Sequence, residues 1–200
     1  MMNYLSLKKI TTIAMALIVA LSLFSCGYNA MQKAEEDVFK SWADVESALQ
    51  RRADLIPNLV ATVKGAASHE QDTLTAVIEA RSKATSVNLS ADDLNSAQAM
   101  AQFQQAQSSL SSALSKLMVV VEQYPELKAN QNFLDLQVQL EGTENRINVA
   151  RTRYNESVSS FNSMIRSFPN SLVNSLLLKL DKKEYYKADP ASATAPVIQF

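Results

Sequence analysis

The chain has 200 residues, of which 47% are apolar and 20% charged, and its 19 basic and 20 acidic residues give a formal net charge of −1. This is the composition of a single globular domain, and the near balance of charge provides no long-range field that would collect nucleic acid. One cysteine, one histidine and three separated glycines exclude the usual zinc site and the glycine-rich phosphate-binding loop. We therefore expect no catalytic residue, no cofactor, no metal and no nucleic-acid partner.

The first 25 residues have the features of an export signal. Lys8 and Lys9 form a positively charged start, and the 15 residues 10–24 are apolar except for two threonines and one serine. Residues 23–25, Leu-Phe-Ser, lead directly to Cys26. This order resembles the bacterial lipobox, in which a diacylglyceryl group is attached to the cysteine and cleavage makes that cysteine the first residue. The sequence thus predicts a lipoprotein signal peptide over residues 1–25 and lipid attachment at Cys26.

An uncleaved anchor helix with an incidental cysteine is the alternative interpretation of this segment. Its apolar stretch is shorter than the ~20 residues that span a bilayer, which favours the lipoprotein. Both interpretations tether the chain to a membrane, facing the periplasm or the cell exterior. Gly27 follows the cysteine, where an aspartate would hold a lipoprotein at an inner membrane, and this favours the outer membrane.

Helical periodicity dominates residues 31–168, and no alternating strand pattern competes with it. The first helical region carries apolar residues at heptad spacing, and Pro57 interrupts it. Either this helix kinks at Pro57, or Asp54 caps a new helix that carries the proline in its first turn. A shorter helix is predicted over residues 66–87.

Two later stretches repeat apolar residues at every seventh position, as in long helices that pack along a seam. The first begins at Ser90, which forms a capping-box-like pair with Asp93. The second covers residues 131–168, is capped by Asn130 and ends at Pro169, which makes it about 57 Å long. The five residues between the two helices predict antiparallel neighbours. The repeated residues are Phe103, Leu110, Leu117 and Tyr124 in the first stretch, and Phe133, Leu140, Ile147, Tyr154, Phe161 and Phe168 in the second.

Long helices joined by short loops bury their seams best as a bundle. The predicted fold is therefore all-α: an antiparallel bundle of four long helices over residues 26–180, preceded by the signal segment. The amphipathic piece 171–180 either caps one end of the bundle or rests on the bilayer surface. A flexible tail is predicted over residues 181–200, which contain prolines and alternating small residues.

Several short motifs follow one another along the helical region. They are Arg-Arg-Ala-Asp-Leu-Ile-Pro-Asn-Leu-Val at 51–60 with Val-Lys-Gly at 63–65, Tyr-Pro-Glu-Leu-Lys-Ala-Asn at 124–130, Leu-Glu-Gly-Thr-Glu-Asn-Arg-Ile at 140–147, Arg-Tyr-Asn at 153–155, Phe-Asn at 161–162 and Phe-Pro at 168–169. In this order they resemble the motifs of the LemA family, and the likeness covers residues 45–169 and the terminal Val-Ile-Gln-Phe. The resemblance implies a membrane-tethered, extracytoplasmic antiparallel helical bundle, and it implies no reaction and no cofactor. Two departures are the lipobox, where many members have a transmembrane helix, and Ala66, where an aromatic residue is common.

Polar residues on the inner faces of the helices form the candidate site. Arg52 lies on a seven-residue row of apolar positions, and Glu144 and Arg151 lie beside the seam of the last helix. A buried arginine requires a carboxylate partner, because an unpaired charge in a dry core costs several kcal/mol. The functional interpretation is a polar site inside the bundle. The structural interpretation is either an ion pair that fixes the helix register or an arginine whose head reaches water past its apolar stem. The full candidate set is Arg52, Asn58, Glu144, Arg151, Asn155 and Asn162.

Residues 94–115 contain no charged side chain over 22 positions. Small neutral side chains let helices approach closely, so this stretch (Leu94 to Ser115) is a candidate surface for an envelope protein or for self-association. An ordinary helix with a mildly polar face is the alternative.

These observations predict a non-catalytic, lipid-anchored scaffold or interaction module of the bacterial envelope. The first alternative is a ligand-binding or enzymatic bundle that uses Arg52 and Glu144 and requires an enclosed pocket with charged walls. The second is an adaptor that presents residues 197–200 as an apolar recognition peptide.

Overall fold

The computed structural model describes residues 4–67 and 69–187, with side chains described at residues 11–15 and from residue 27 onward within those ranges. The described residues are mostly helical and contain no strand, which confirms the predicted all-α fold. Within them, no helix contains an apolar stretch long enough to cross a membrane. The helices are α1 (Tyr4–Ala66), α2 (Gln71–Ser86), α3 (Ala97–Val121), α4 (Pro125–Lys128), α5 (Gln131–Arg166) and α6 (Asn170–Val173), with a 3₁₀ turn at Asp93–Asn95 and a π-helical turn at Asn174–Leu178.

Helix α1 continues through Pro57 and excludes a new helix capped by Asp54. A proline inside a helix has no N–H, so it leaves the carbonyl four residues earlier without its helical donor. That carbonyl belongs to Ala53, and Arg81 of α2 donates a hydrogen bond to it from Nε at 2.7 Å. The proline therefore creates an acceptor on α1 that helps to fix the position of α2.

The core consists of two apolar clusters at different heights along the bundle. The proximal core joins the first part of α1 to the last part of α5, and the distal core joins the end of α1 to the start of α5, so these two helices are antiparallel. The main side chains of the proximal core are Met31, Val38, Trp42, Val45, Phe103, Ile147, Tyr154, Phe161 and Ile165. Those of the distal core are Ile56, Leu59, Val63, Leu74, Val77, Leu110, Leu117, Phe133 and Leu136.

The short connection between α3 and α5 predicts that these two helices are immediate neighbours. In the structure α5 lies mainly along α1, and α3 lies mainly along α2. The reason is the size of the seam residues: α5 presents a row of large apolar side chains, and α1 offers large apolar partners at matching heights. Trp42 of α1 meets Phe103 of α3 and Tyr154 of α5. Because α3 passes from the proximal core at Phe103 to the distal core at Leu117, it runs parallel to α1 and antiparallel to α5.

The helix ends agree with the sequence prediction at Asn130 and differ from it at the start of α3 and at the end of α5. Asn130 accepts hydrogen bonds from the backbone N–H groups of residues 132 and 133, as predicted. Ser90 and Asp93 do bond to each other, but Asp93 begins the 3₁₀ turn, and Ser96 caps α3 instead. Phe168 follows the predicted seven-residue row but is exposed, because α5 ends before it and the helical period no longer applies.

The chain after α6 packs on the bundle further than the sequence predicts. The expected flexible tail begins at residue 181, whereas residues 181–187 form an extended segment, here called the strap, in which Lys183 and Tyr186 are buried. The physical reason is a set of side chains on α5 that hydrogen-bond to the backbone of the strap. The hydrophobic periodicity of the sequence does not predict such contacts. Residues 188–200, including the proposed recognition peptide, lie outside the described residues.

Candidate functional site

Arg52 and its neighbours form a polar layer between the proximal and distal cores. The layer consists of Arg52 from α1, Gln107 and Ser111 from α3, and Glu144 from α5. The arginine side chain is 5% exposed and the glutamate side chain 49% exposed. The layer is thus closed on the arginine side and open to solvent on the glutamate side.

The arginine donates to three acceptors on two other helices. Its Nη1 lies 3.1 Å from Ser111 Oγ and 3.3 Å from Glu144 Oε2, and its Nη2 lies 2.6 Å from Gln107 Oε1. Gln107 in turn donates from Nε2 to the carbonyl oxygen of Ala84, near the end of α2, at 3.1 Å. One network therefore connects all four long helices at a single height of the bundle.

Burial is the main influence on the pKa of Arg52. Desolvation lowers the pKa of the guanidinium below its usual value, and the nearby Glu144 carboxylate opposes this effect. An arginine remains protonated even when buried, so it acts here as a fixed cation and not as a base. Its charge is matched by one carboxylate, and its two Nη groups bond within the layer, so the arrangement fits a contact that fixes register.

A cleft of about 310 Å³ lies beside the polar layer, between α1, the end of α2 and α3. Gln107 and Ala84 reach it, and Glu46 is its one charged lining residue. The cleft is open on one side. It is not the enclosed, charge-lined pocket that the ligand-binding or enzymatic alternative requires.

Three further candidate residues hold the strap against α5. Asn155 donates to the carbonyl of Tyr186 and accepts from its N–H, both at 2.9 Å. Asn162 makes the same pair of bonds, also at 2.9 Å, with the backbone of Lys183. Arg151 donates to the carbonyl of Lys187 at 2.9 Å, with its guanidinium 4.4 Å from the centre of the Tyr186 ring.

The spacing of the two asparagines matches the length of the strap. Asn155 and Asn162 are seven positions apart on α5, which corresponds to a rise of about 10.5 Å. Lys183 and Tyr186 are three positions apart, which in an extended chain corresponds to about 10 Å. Each asparagine side chain therefore meets the N–H and C=O groups of one strap residue.

The strap also carries a buried ion pair that sequence analysis missed. The Nζ of Lys183 lies 2.9 Å from Glu35 Oε1 and 4.9 Å from the ring centre of Phe39, both on α1. A lysine in an aperiodic segment gives no sequence signal for such a contact. Gln107 did give a signal, because it interrupts the apolar row between Phe103 and Leu110.

The remaining candidates lie elsewhere. Asn58 is exposed and outside the polar layer; its backbone carbonyl accepts a hydrogen bond from Thr62. Cys26 is part of α1, but its side chain lies outside the described residues. The uncharged stretch 94–115 covers the last two residues of the 3₁₀ turn and most of α3, and its outer residues line a shallow groove between α2 and α3. Among the residues that the structure describes, no group of histidine, cysteine, aspartate or glutamate side chains is arranged to hold a metal ion.

Comparison with known proteins identifies the family of the chain. The model of the LemA family matches residues 41–200. Magnetosome protein MamQ 2 of Paramagnetospirillum magneticum is 28% identical over 190 residues, which cover 86% of this chain and 68% of the relative. Magnetosome protein MamQ of Magnetospirillum gryphiswaldense is 26% identical over 92% of this chain and 73% of the relative. Protein LemA of Metamycoplasma hominis is 25% identical over 76% of this chain and 64% of the relative. Because the family match spans most of its length and agrees with the all-α bundle, the chain belongs to the LemA family.

Proposed function

We propose that this LemA-family protein is a lipid-anchored, non-catalytic helical scaffold of the bacterial envelope, facing the periplasm or the cell exterior. The observation that carries the proposal is the continuity of α1 after the attachment point, since the helix runs from Cys26 to Ala66 without a break. A lipid on the sulfur of Cys26 would then be attached to the same helix that forms the bundle core.

The bundle begins directly after the proposed attachment point. Gly27 is buried, and a Cβ placed there would lie 2.6 Å from Asn170 Oδ1 and 3.8 Å from Val173 Cγ2. Met31, four residues further on, belongs to the proximal core. No flexible linker of the kind that lets a domain move freely separates the anchor from the fold, so the anchor would hold the bundle close to the membrane.

The inner polar groups support a structural role for the bundle. In the polar layer, the side chains of Arg52, Gln107, Ser111 and Glu144 bond to one another or to backbone. Both Nη groups of Arg52 have partners in this layer, whereas its buried Nε has none. Polar contacts between helices of this kind specify the register of a core. A rigid bundle that presents its outer faces to other proteins is what a scaffold requires.

The outer face of α3 is the proposed contact surface for an envelope protein or a second copy. Between residues 97 and 115 its exposed side chains are neutral and include Gln98, Gln102, Gln105 and Ser112; the exposed Lys116 follows this part of the helix. A surface without charges avoids the desolvation cost that charged groups carry into an interface. Small side chains also permit close approach of a partner helix.

The anchor is tested by metabolic labelling with a clickable palmitate analogue in cells that express the native chain or C26S. We expect label and membrane association for the native chain and loss of the label in C26S. Density separation of the membranes then distinguishes the outer from the inner membrane. Unlabelled native protein, or equal labelling of both chains, would contradict the proposal.

The contact surface is tested by a photo-crosslinking amino acid at Gln105, with Asn132 on α5 as the matched exposed neutral control. We expect discrete crosslinked products from position 105 in intact cells, which mass spectrometry would assign to a second copy or to another envelope protein. These products should be lost in the C26S background, because that chain lacks the lipid that gives the native bundle its place at the membrane. Identical products from both positions would refute a specific surface on α3.

A further inference from the structure

The segment after α5 exposes an apolar patch, here called the end patch. It consists of Phe168, Leu172, Leu176 and Leu177, whose exposed fractions are 81%, 46%, 68% and 63%. Val173 is buried and Leu178 packs against the proximal core, so the segment is anchored to the bundle through other residues. Single exposed apolar residues need no explanation, but four within ten residues indicate a contact surface.

The end patch lies at the end of the bundle where the proposed lipid anchor is attached. Gly27, the residue after Cys26, packs directly against Asn170 and Val173 of α6. These two contacts are on the helix that carries Leu172. The patch is therefore carried by the element in contact with the start of the mature chain.

The charge around the end patch is basic. Residues 166–182 contain Arg166, Lys179 and Lys182 against Asp181, which gives three positive charges minus one negative charge, or +2. All four of these side chains are exposed. Apolar side chains flanked by lysine and arginine are typical of surfaces that lie in the headgroup region of a bilayer with anionic lipids.

We propose that the end patch docks on the surface of the bilayer that holds the Cys26 lipid, with its apolar side chains at the headgroup boundary and its lysines against anionic headgroups. The inference rests on the proposed anchor. A lipid on Cys26 would keep the membrane within a few residues of the patch at all times, which raises its effective concentration far above that of any free partner. Docking would then give the bundle one fixed orientation relative to the membrane.

The test measures the environment of the patch in the full, acylated chain. Leu176→Cys is labelled with the fluorophore NBD, and Val138→Cys, 67% exposed on α5 beside the distal core, is the matched control. Each protein is reconstituted into vesicles of phosphatidylcholine and phosphatidylglycerol, with or without lipids brominated near the headgroup. Flotation of the same samples measures attachment of the chain, independently of docking.

We expect both labelled proteins to float, and we expect the bromolipids to quench the label at position 176 at least about threefold more strongly than at position 138. Combining the label with F168S/L172S should reduce this quenching, whereas V119S/V149S, two exposed apolar residues elsewhere, should not. K179E/K182E should weaken quenching only in vesicles that contain phosphatidylglycerol.

The remaining outcomes separate the two proposals. Flotation with equal quenching at both positions would overturn docking and leave the anchor intact. Efficient bismaleimide crosslinking of two copies through position 176, without quenching, would assign the patch to a second copy and overturn docking on lipid. A chain that does not float would overturn the anchor and, with it, the docking that rests on it.

Discussion

The hydrogen bond from Arg81 to the backbone of α1 allows a quantitative test of how the bundle is assembled. Pro57 leaves the carbonyl of Ala53 without a helical donor, and Arg81 Nε fills this position at 2.7 Å. R81M removes the donor while keeping an apolar stem of similar length. P57A restores an N–H group at position 57 that can bond to the same carbonyl.

The cost of R81M depends on which residue occupies position 57. Hydrogen bonds from charged donors contribute roughly 1.5–3 kcal/mol, so R81M alone should lower the free energy of unfolding by about 2 kcal/mol. In the P57A background the carbonyl already has a donor, and the same change should cost about 0.5–1 kcal/mol. The coupling energy between the two positions is therefore expected to be about 1 kcal/mol or more.

Urea unfolding of the native chain, both single variants and the double variant measures this coupling. Trp42 is the single tryptophan and lies in the proximal core, so its fluorescence reports loss of the packed bundle. K83M, an exposed change on the same helix, is the control and should stay within about 0.5 kcal/mol of the native chain. An equal cost of R81M in both backgrounds would refute the idea that Arg81 acts through the acceptor created by Pro57.

Three further predictions concern the strap and the core. N162A removes two hydrogen bonds to the backbone of Lys183 and should lower the free energy of unfolding by about 2–4 kcal/mol and speed amide exchange in the strap; unchanged exchange would contradict its clamping role. K183M should lower the free energy of unfolding in urea by about 3–5 kcal/mol, because it leaves Glu35 unpaired and partly buried. The control K182M, at an exposed residue, should have little effect, and K183M/E35Q should recover part of the lost stability. Burial raises the pKa of the Tyr154 phenol above its usual value of 10.0, so the folded chain keeps a proton that the unfolded chain loses. The free energy of unfolding should therefore fall as the pH rises past about 10, and Y154F should reduce this slope in unfolding measured between about pH 9 and pH 11; an identical slope would argue against a raised pKa.

Much of the fold follows from local rules that the sequence makes visible. The seven-residue rows predict the long helices because a seam must face a neighbour at every second turn, and Asn130 marks the start of α5 through a bond within three residues. The choice of neighbour was not predictable from loop length alone, because the size of the side chains on α1 and α5 decides it. Pro57 in the sequence indicates that the carbonyl of Ala53 lacks its helical donor. Only the fold shows that Arg81 donates a hydrogen bond to that carbonyl.

The polar contacts were predictable where burial demands a partner and unpredictable where a side chain meets backbone. Arg52 on an apolar row requires a carboxylate, and the structure places Glu144 beside it. The strap depends on asparagine side chains that reach backbone groups 21 and 31 residues away in sequence. Backbone groups are alike at every residue, so the sequence does not indicate which of them a given asparagine holds.

The spacing of Asn155 and Asn162 on α5 matches the spacing of Tyr186 and Lys183 on the strap. This match restricts insertions and deletions in the strap. Adding or deleting one residue between Lys183 and Tyr186 would shift the second backbone unit by about 3.3 Å relative to Asn155. The residue then opposite Asn155 would also be turned over. Its N–H and C=O groups would point away from the side-chain amide of Asn155. We therefore expect insertions and deletions among related chains to fall outside residues 183–186. This segment contains no regular secondary structure, yet its length is constrained as strictly as the spacing of residues along a packed helix.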